Sequence, residues 1–244
     1  MNEKDLKTSK SQRIFISIIA VAMLGSIIAG YALMIASGGK TSGTSGNEAT
    51  DISEEKKMQI ENEYNESLTK FKAETQSDFN TFVTYKSRVA AYNEASANDN
   101  GVVTNDIVVG NGRTLSDNDT DYMAFYIGWC ADESIFDSTL DDNTNPTAFK
   151  TVLPASKDMI EGWKTGVAGM NINGIREVTI PGSLAYKEDK EICGGYNKPL
   201  KFLIMAKSNE DPLKSLSAEL EENFTRWNYA RFGLDYDAIR QNQE

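Results

Sequence analysis

The chain has 244 residues, 40% hydrophobic and 25% charged, with a net charge of −11 and no histidine. So acidic a chain offers no basic face to phosphates, which sets nucleic-acid partners aside. Without imidazole, with Cys130 and Cys193 as its only cysteines and with no Gly-rich nucleotide loop, it lacks the usual parts of hydrolytic, zinc and redox sites, and neither a metal nor a cofactor is expected.

Residues 1–13 form a basic tail in which Lys4, Lys7, Lys10 and Arg13 outnumber Glu3 and Asp5, leaving −13 for the rest of the chain. Residues 14–36 are uncharged and almost wholly apolar. At about 1.5 Å per residue they are long enough to cross a hydrocarbon core of about 30 Å. The positive-inside rule keeps the N-terminus cytoplasmic, which predicts a single-pass protein of the cell membrane with its bulk outside the cytoplasm. The alternative is a signal peptide cleaved near Ala36-Ser37-Gly38, with an unusually long apolar core. No cysteine follows this stretch, which argues against a lipoprotein. Residues 37–50, rich in Gly and Ser, have the composition of a flexible linker.

Residues 51–97 contain no Pro or Gly, and Met58, Ile60, Tyr64, Leu68, Phe71, Phe79, Phe82, Tyr85, Val89 and Tyr92 recur mostly at steps of three or four. That spacing predicts amphipathic helix, starting at Asp51 or Ser53 with Glu54 and Glu55 favouring the dipole. A weaker pattern over 73–78 leaves one long helix or a helical hairpin open. Residues 101–208 change texture: short β-like runs at 107–109, 122–130, 148–152, 174–180 and 200–206 surround one helical stretch at 156–166. This predicts an α+β domain, an antiparallel sheet with a single helix against it. Over 212–241 a second helix is expected, opened by Pro212 and carrying Leu213, Leu216, Leu220, Phe224 and Trp227. Neither terminal helix can hide its apolar stripe alone, so the two are expected to pack together or to pair between chains as a homodimer, as simple packing or as a cradle for unfolded clients.

Along the central segment run Tyr126-Ile127-Gly128, Ile135-Phe136-Asp137-Ser138, Phe149, Met159-Ile160-Glu161-Gly162-Trp163, Gly169-Met170, Ile180-Pro181, Leu184-Ala185-Tyr186 and Leu200-Lys201-Phe202. The set, in this order over residues 108–206, resembles FKBP-type peptidyl-prolyl isomerases. The resemblance implies a half-wrapped antiparallel sheet with the helix across its concave face, a proline pocket between them, and dimers among secreted members with helical extensions. It also implies roles for individual residues. Trp163 would form the pocket floor, Tyr126, Phe136, Phe149, Met159 and Ile160 its walls, and Phe202 its base. Asp137 and Tyr186 would stand at the rim, with the Tyr186 hydroxyl and Ile160 amide aimed at substrate carbonyls. Rotation about an X–Pro bond meets a barrier of about 20 kcal/mol but transfers no proton, so a chain without histidine remains competent for it. Two departures stand out. Lys187 replaces the glycine usual after Ala185-Tyr186, and the loop 188–198 lacks the usual Ile-Pro pair, leaving Ile192 as the apolar candidate there.

Cys130, at the end of a predicted strand, and Cys193, in that loop, are either a disulfide of an exported domain or two unrelated small apolar residues. The sequence therefore predicts an isomerase acting on proline-containing unfolded or exported polypeptides. The alternative is an FKBP-like binding module or holdase with little isomerase activity.

Overall fold

The structure, a computed structural model, describes residues 52–241. The predicted tail, membrane anchor and linker (1–13, 14–36 and 37–50) lie outside them. Among the described residues no helix is long and apolar enough to cross a membrane. The described residues fall into two compact units, one spanning 61–224 and a smaller one formed by 52–60 with 225–241.

In the larger unit six strands form one antiparallel sheet: β1 (Val103–Val108), β2 (Tyr122–Trp129), β3 (Ile135–Ser138), β4 (Leu153–Pro154), β5 (Ile175–Ile180) and β6 (Leu200–Ser208). Their spatial order is β1-β5-β6-β2-β3, with β4 on β2. All eight residues of β2 are buried. The period of two sends Tyr122, Ala124 and Tyr126 to one face and Met123, Phe125, Ile127 and Trp129 to the other, and each face has its own core. Sandwiched on both sides, β2 and the middle of β6 read as continuous hydrophobic runs rather than the in–out alternation usual in antiparallel sheets.

A seven-residue helix, Glu161–Val167, lies on the first face. Two glycines at helical spacing allow the approach. A Cβ on Gly162 would stand 2.1 Å from Cγ2 of Ile180, and one on Gly166 2.4 Å from Cγ1 of Val178. The far end of this helix is held by Arg176 of β5. Its guanidinium donates to the carbonyls of Gly166 (3.0 Å) and Ala168 (2.8 Å) and pairs with Asp106 of β1 at 2.6 and 2.9 Å.

The other face is covered from the N-terminal side. The helix Glu54–Val83 presents Phe71, Phe79 and Phe82 to the second core. Phe71 meets Phe125 edge-on at 6.5 Å, and Phe79 meets Phe149 edge-on at 5.4 Å. The expectation that the terminal helices would satisfy each other is therefore met only in part. Tyr64 and Phe224 do touch, with ring centroids 5.8 Å apart, but Leu213 and Leu220 of the C-terminal helix (Leu213–Arg231) join the same core beneath the sheet.

Four expected elements are corrected, three of them before the C-terminal helix. The first helix runs unbroken through 73–78 and stops at Val83, short of the predicted 97. Beyond it Tyr85, Val89 and Tyr92 still face the sheet, but from a strap that serves polar groups at its edge. The Tyr92 hydroxyl donates to the Pro199 carbonyl at 2.7 Å and the Trp129 indole to the Ala90 carbonyl at 3.0 Å. A six-residue helix, Glu94–Asp99, follows, capped by the Asn93 side chain, which accepts the Ser96 N–H. Residues 148–152 do not form a strand: the Asp141 carboxylate takes the N–H groups of Thr147 and Ala148, and Pro154 brings no donor to the short β4. The helix expected from 156 begins only at Glu161, because Ser156 Oγ accepts the Asp158 N–H and makes a local turn.

In the smaller unit Ile52, Ile60 and Ala230 are buried with Trp227. Lys56 pairs with Asp235, whose carboxylate also accepts the N–H groups of Asp237 and Ala238 and so starts a separate helix, Tyr236–Gln241. The single helix expected over 212–241 is thus two.

Candidate functional site

Between the seven-residue helix and the sheet, side chains from four elements converge. Tyr126 comes from β2, Phe136 and Asp137 from β3, Phe202 from β6 and Trp163 from the helix, while Met159 and Ile160 precede that helix in the chain. Phe202 stands in the middle, with centroids 5.2 Å from Trp163, 5.6 Å from Phe136 and 6.3 Å from Tyr126. Tyr126 meets Trp163 edge-on at 5.6 Å. Edge-to-face contacts fix ring planes as well as positions, because each quadrupole sets its positive edge against a neighbour's negative face.

The polar groups follow from this packing. The Tyr126 hydroxyl donates to Oδ2 of Asp137 at 2.6 Å. Burial first, and the Asp137 charge second, push the Tyr126 phenol well above its ordinary value. Burial and then Asp137 likewise push Tyr186 up to about 12, so both phenols keep their protons at neutral pH. Among the described residues the Tyr186 hydroxyl makes no hydrogen bond. The Ile160 N–H is free in the same sense, while its carbonyl accepts the N–H groups of Trp163 (3.0 Å) and Lys164 (3.3 Å). Deeper in, the Trp163 indole donates to the Tyr122 hydroxyl at 2.9 Å, and that hydroxyl points its own proton at Sδ of Met159, 3.9 Å away. Tyr122 was not singled out as a site residue from the sequence. The signal that finds it is the strand period, which sets it on the same face as Tyr126.

Beside the cluster runs the loop 187–198. Lys187, Cys193 and Asn197 take left-handed backbone conformations, with φ of 52°, 58° and 54°. Ile192 and Gly195 exchange two backbone hydrogen bonds, at 2.9 and 3.2 Å, which turns the loop so that Ile192 and Cys193 pack against the cluster. The Lys190 ammonium lies 5.2 Å from the Tyr186 ring centroid. Cys193 is joined to Cys130 at the end of β2 by a disulfide closing 63 residues of chain.

Of the residues singled out from the sequence, Tyr126, Phe136, Met159, Ile160, Trp163, Tyr186, Ile192 and Phe202 lie in or against this one cluster, and Asp137 is bonded to it through Tyr126. Phe149 does not belong there. It is stacked on Phe125 at 3.8 Å on the opposite face of the sheet, within the core shared with the N-terminal helix. Its backbone makes an isolated bridge to Leu140.

The family model of FKBP-type peptidyl-prolyl cis-trans isomerases matches residues 113–206. That segment is a domain of the FKBP type. FK506-binding protein 4 of Gibberella zeae is 41% identical over 86 residues, 35% of this chain and 16% of that protein. FK506-binding protein 4 of Neurospora crassa is 40% identical over 86 residues, 35% of this chain and 17% of that protein. The chain thus spans about a sixth of the length of the curated relatives it matches. Among solved structures, the one titled as the crystal structure of AtFKBP13 covers 44% of this chain and 92% of its own, at 25% identity and a TM-score of 0.33. The FKBP-type match takes in Tyr126, Phe136, Asp137, Trp163, Tyr186 and Phe202, and also the departing loop with Lys187 and Cys193.

Proposed function

We propose that the FKBP-type domain catalyses cis–trans isomerisation of X–Pro bonds, with the cleft bounded by Tyr126, Phe136, Trp163 and Phe202 receiving the proline ring. The observation that carries this reading is the convergence of those four rings beside two donors, the Tyr186 hydroxyl and the Ile160 N–H, with no partner of their own among the described residues. The uncatalysed rotation takes tens of seconds or longer because the planar amide is stabilised by resonance. That resonance form is the more dipolar one, so an apolar, water-poor surface favours the twisted form over either planar isomer. Tyr186 and Ile160 would hold the substrate carbonyls, fixing the chain on either side of the bond that turns. No step moves a proton, in keeping with a chain that has no histidine.

The wider role follows from the sequence outside the domain. The apolar segment 14–36 behind a basic tail supports a membrane tether with the domain outside the cytoplasm. The Cys130–Cys193 disulfide is consistent with an oxidising compartment. Proline-containing polypeptides folding at the outer face of the membrane are the corresponding substrates.

A coupled isomerisation assay on the purified full chain, beside a Trp163→Ala, Asp137→Ala double variant, tests the reading. Activity above the thermal rate that disappears in a still-folded variant supports an isomerase at this cleft. A parent no faster than the thermal rate across several peptides overturns it, and leaves peptide binding as the activity to measure.

A further inference from the structure

The aromatic cleft rests on a layer of its own. Tyr122, Met159 and Trp163 are buried to 1%, 7% and 3% exposure, and the hydroxyl of Tyr122 links the other two. It accepts the indole N–H at 2.9 Å and directs its proton to the thioether at 3.9 Å. An indole has one polar atom, and here the Tyr122 oxygen is its partner. Rotation of the Trp163 ring about its side-chain bonds would break that bond inside a core where no water replaces it. Edge-to-face contacts with Tyr126 and Phe202 restrain the indole from one side, and the hydrogen bond holds its buried edge. Tyr122 is four residues from Tyr126 on the same strand, so the group bracing Trp163 from below and the ring meeting it from the side share one rigid backbone.

We infer that Tyr122 is a positioning residue of this cleft: through its hydroxyl it fixes the plane of the Trp163 indole on which the proline ring is read. The inference rests on the isomerase reading for its catalytic consequence, and on the geometry alone for the indole.

Tyr122→Phe deletes the hydroxyl and keeps the ring. In the full chain kcat/KM for a prolyl tetrapeptide should fall about five- to tenfold, the scale of one buried hydrogen bond lost. The Trp163 indole N–H resonance, assigned with Trp163→Phe, should shift upfield in the ¹⁵N–¹H spectrum. In a Trp163→Phe background, Tyr122→Phe should cost nothing further, because the residue acts through the indole. A purely packing role would lower Tm yet leave kcat/KM unchanged at a temperature where both proteins are folded. That result, or an equal loss in both backgrounds, overturns the inference. If Tyr122→Phe does not fold, Tyr122→Met, which also lacks the hydroxyl, takes its place. If the parent itself is inactive, the isomerase reading fails separately. Titration of the same peptide, followed at the indole resonance, then decides for Tyr122: about fivefold weaker binding in Tyr122→Phe supports the positioning role, and unchanged affinity overturns it.

Discussion

Tyr126 and Asp137 illustrate what a single hydrogen bond does at this site. The phenol is buried and donates to an exposed carboxylate at 2.6 Å, so the surface charge is anchored to a ring of the aromatic cluster. Tyr126→Phe should leave the fold intact, free the Asp137 side chain, and lower kcat/KM by about threefold to tenfold in the isomerisation assay. The pH profile is a second expectation at this scale. With no imidazole in the chain and Tyr186 held protonated, kcat/KM should be flat from about pH 6 to 9, where a histidine-dependent enzyme would titrate. Tyr186 and Tyr122 are both pushed up to about 12 by burial, so folding tightens their hold on the proton. Their contribution to stability is complete below the unfolded phenol value near pH 10 and is lost as pH rises towards 12. Urea denaturation at pH 7, 8 and 11.5 should show an equal midpoint for the first two and a lower one for the third. Most members of the aromatic cluster were legible in the sequence because their order, not their type, carried the information. Phe149 was not, since its segment makes a single isolated bridge, too short for a strand period to show which face its ring takes. In the sequence Tyr122 reads as an ordinary strand aromatic, and only the buried bond to its hydroxyl distinguishes it.

Among the elements, the seven-residue helix is the one whose position matters most and whose own stability matters least. It is too short to persist alone, and it is kept in place by the two glycine contacts on β5 and by Arg176 at its end. Gly166→Ala sets two effects against each other. Alanine favours helix by about 1 kcal/mol. A methyl 2.4 Å from Cγ1 of Val178, a β-branched side chain rooted in the sheet, costs about 1–3 kcal/mol and displaces the helix. The clash should win, with a net loss of about 1 kcal/mol in urea denaturation and a larger proportional fall in kcat/KM, because Trp163 moves with the helix. The strands β2, β5 and β6 were readable within one or two residues, β2 and β6 from nearly continuous apolar runs and β5 from Ile175, Val178 and Ile180 among polar residues. The end of the first helix was not. Tyr85, Val89 and Tyr92 keep a helical spacing, yet hydrogen bonds to Pro199 and from Trp129 reward an irregular strap there instead. No local pattern carries a preference set by partners 107 and 39 residues away.

For the larger unit, the second core makes the N-terminal helix part of the domain. Phe71, Phe79 and Phe82 are each almost wholly excluded from solvent against Phe125, Phe149 and their neighbours. Deleting residues 51–97, a cut that would remove a mere stalk cleanly, should here expose that face. The truncated protein should lose cooperative unfolding and bind a hydrophobic dye such as ANS, whereas a separable stalk would leave the transition unchanged. The disulfide acts on the same unit from the other side. By chain entropy, closing 63 residues contributes roughly 4 kcal/mol, so reduction should lower the urea midpoint markedly even without change in the folded state.

The order of synthesis gives the first helix a particular history. Phe79 is made early, but the β6 side chains of its core, Leu203 and Met205, are made about 125 residues later, which at 5–20 residues per second is a delay of roughly 6–25 seconds. β1 waits similarly for β5, the strand it pairs with. A nascent chain of this protein therefore carries three phenylalanines without their partners for that interval, and since residues 51–97 hold no proline, what would shelter them is a holdase rather than a prolyl isomerase.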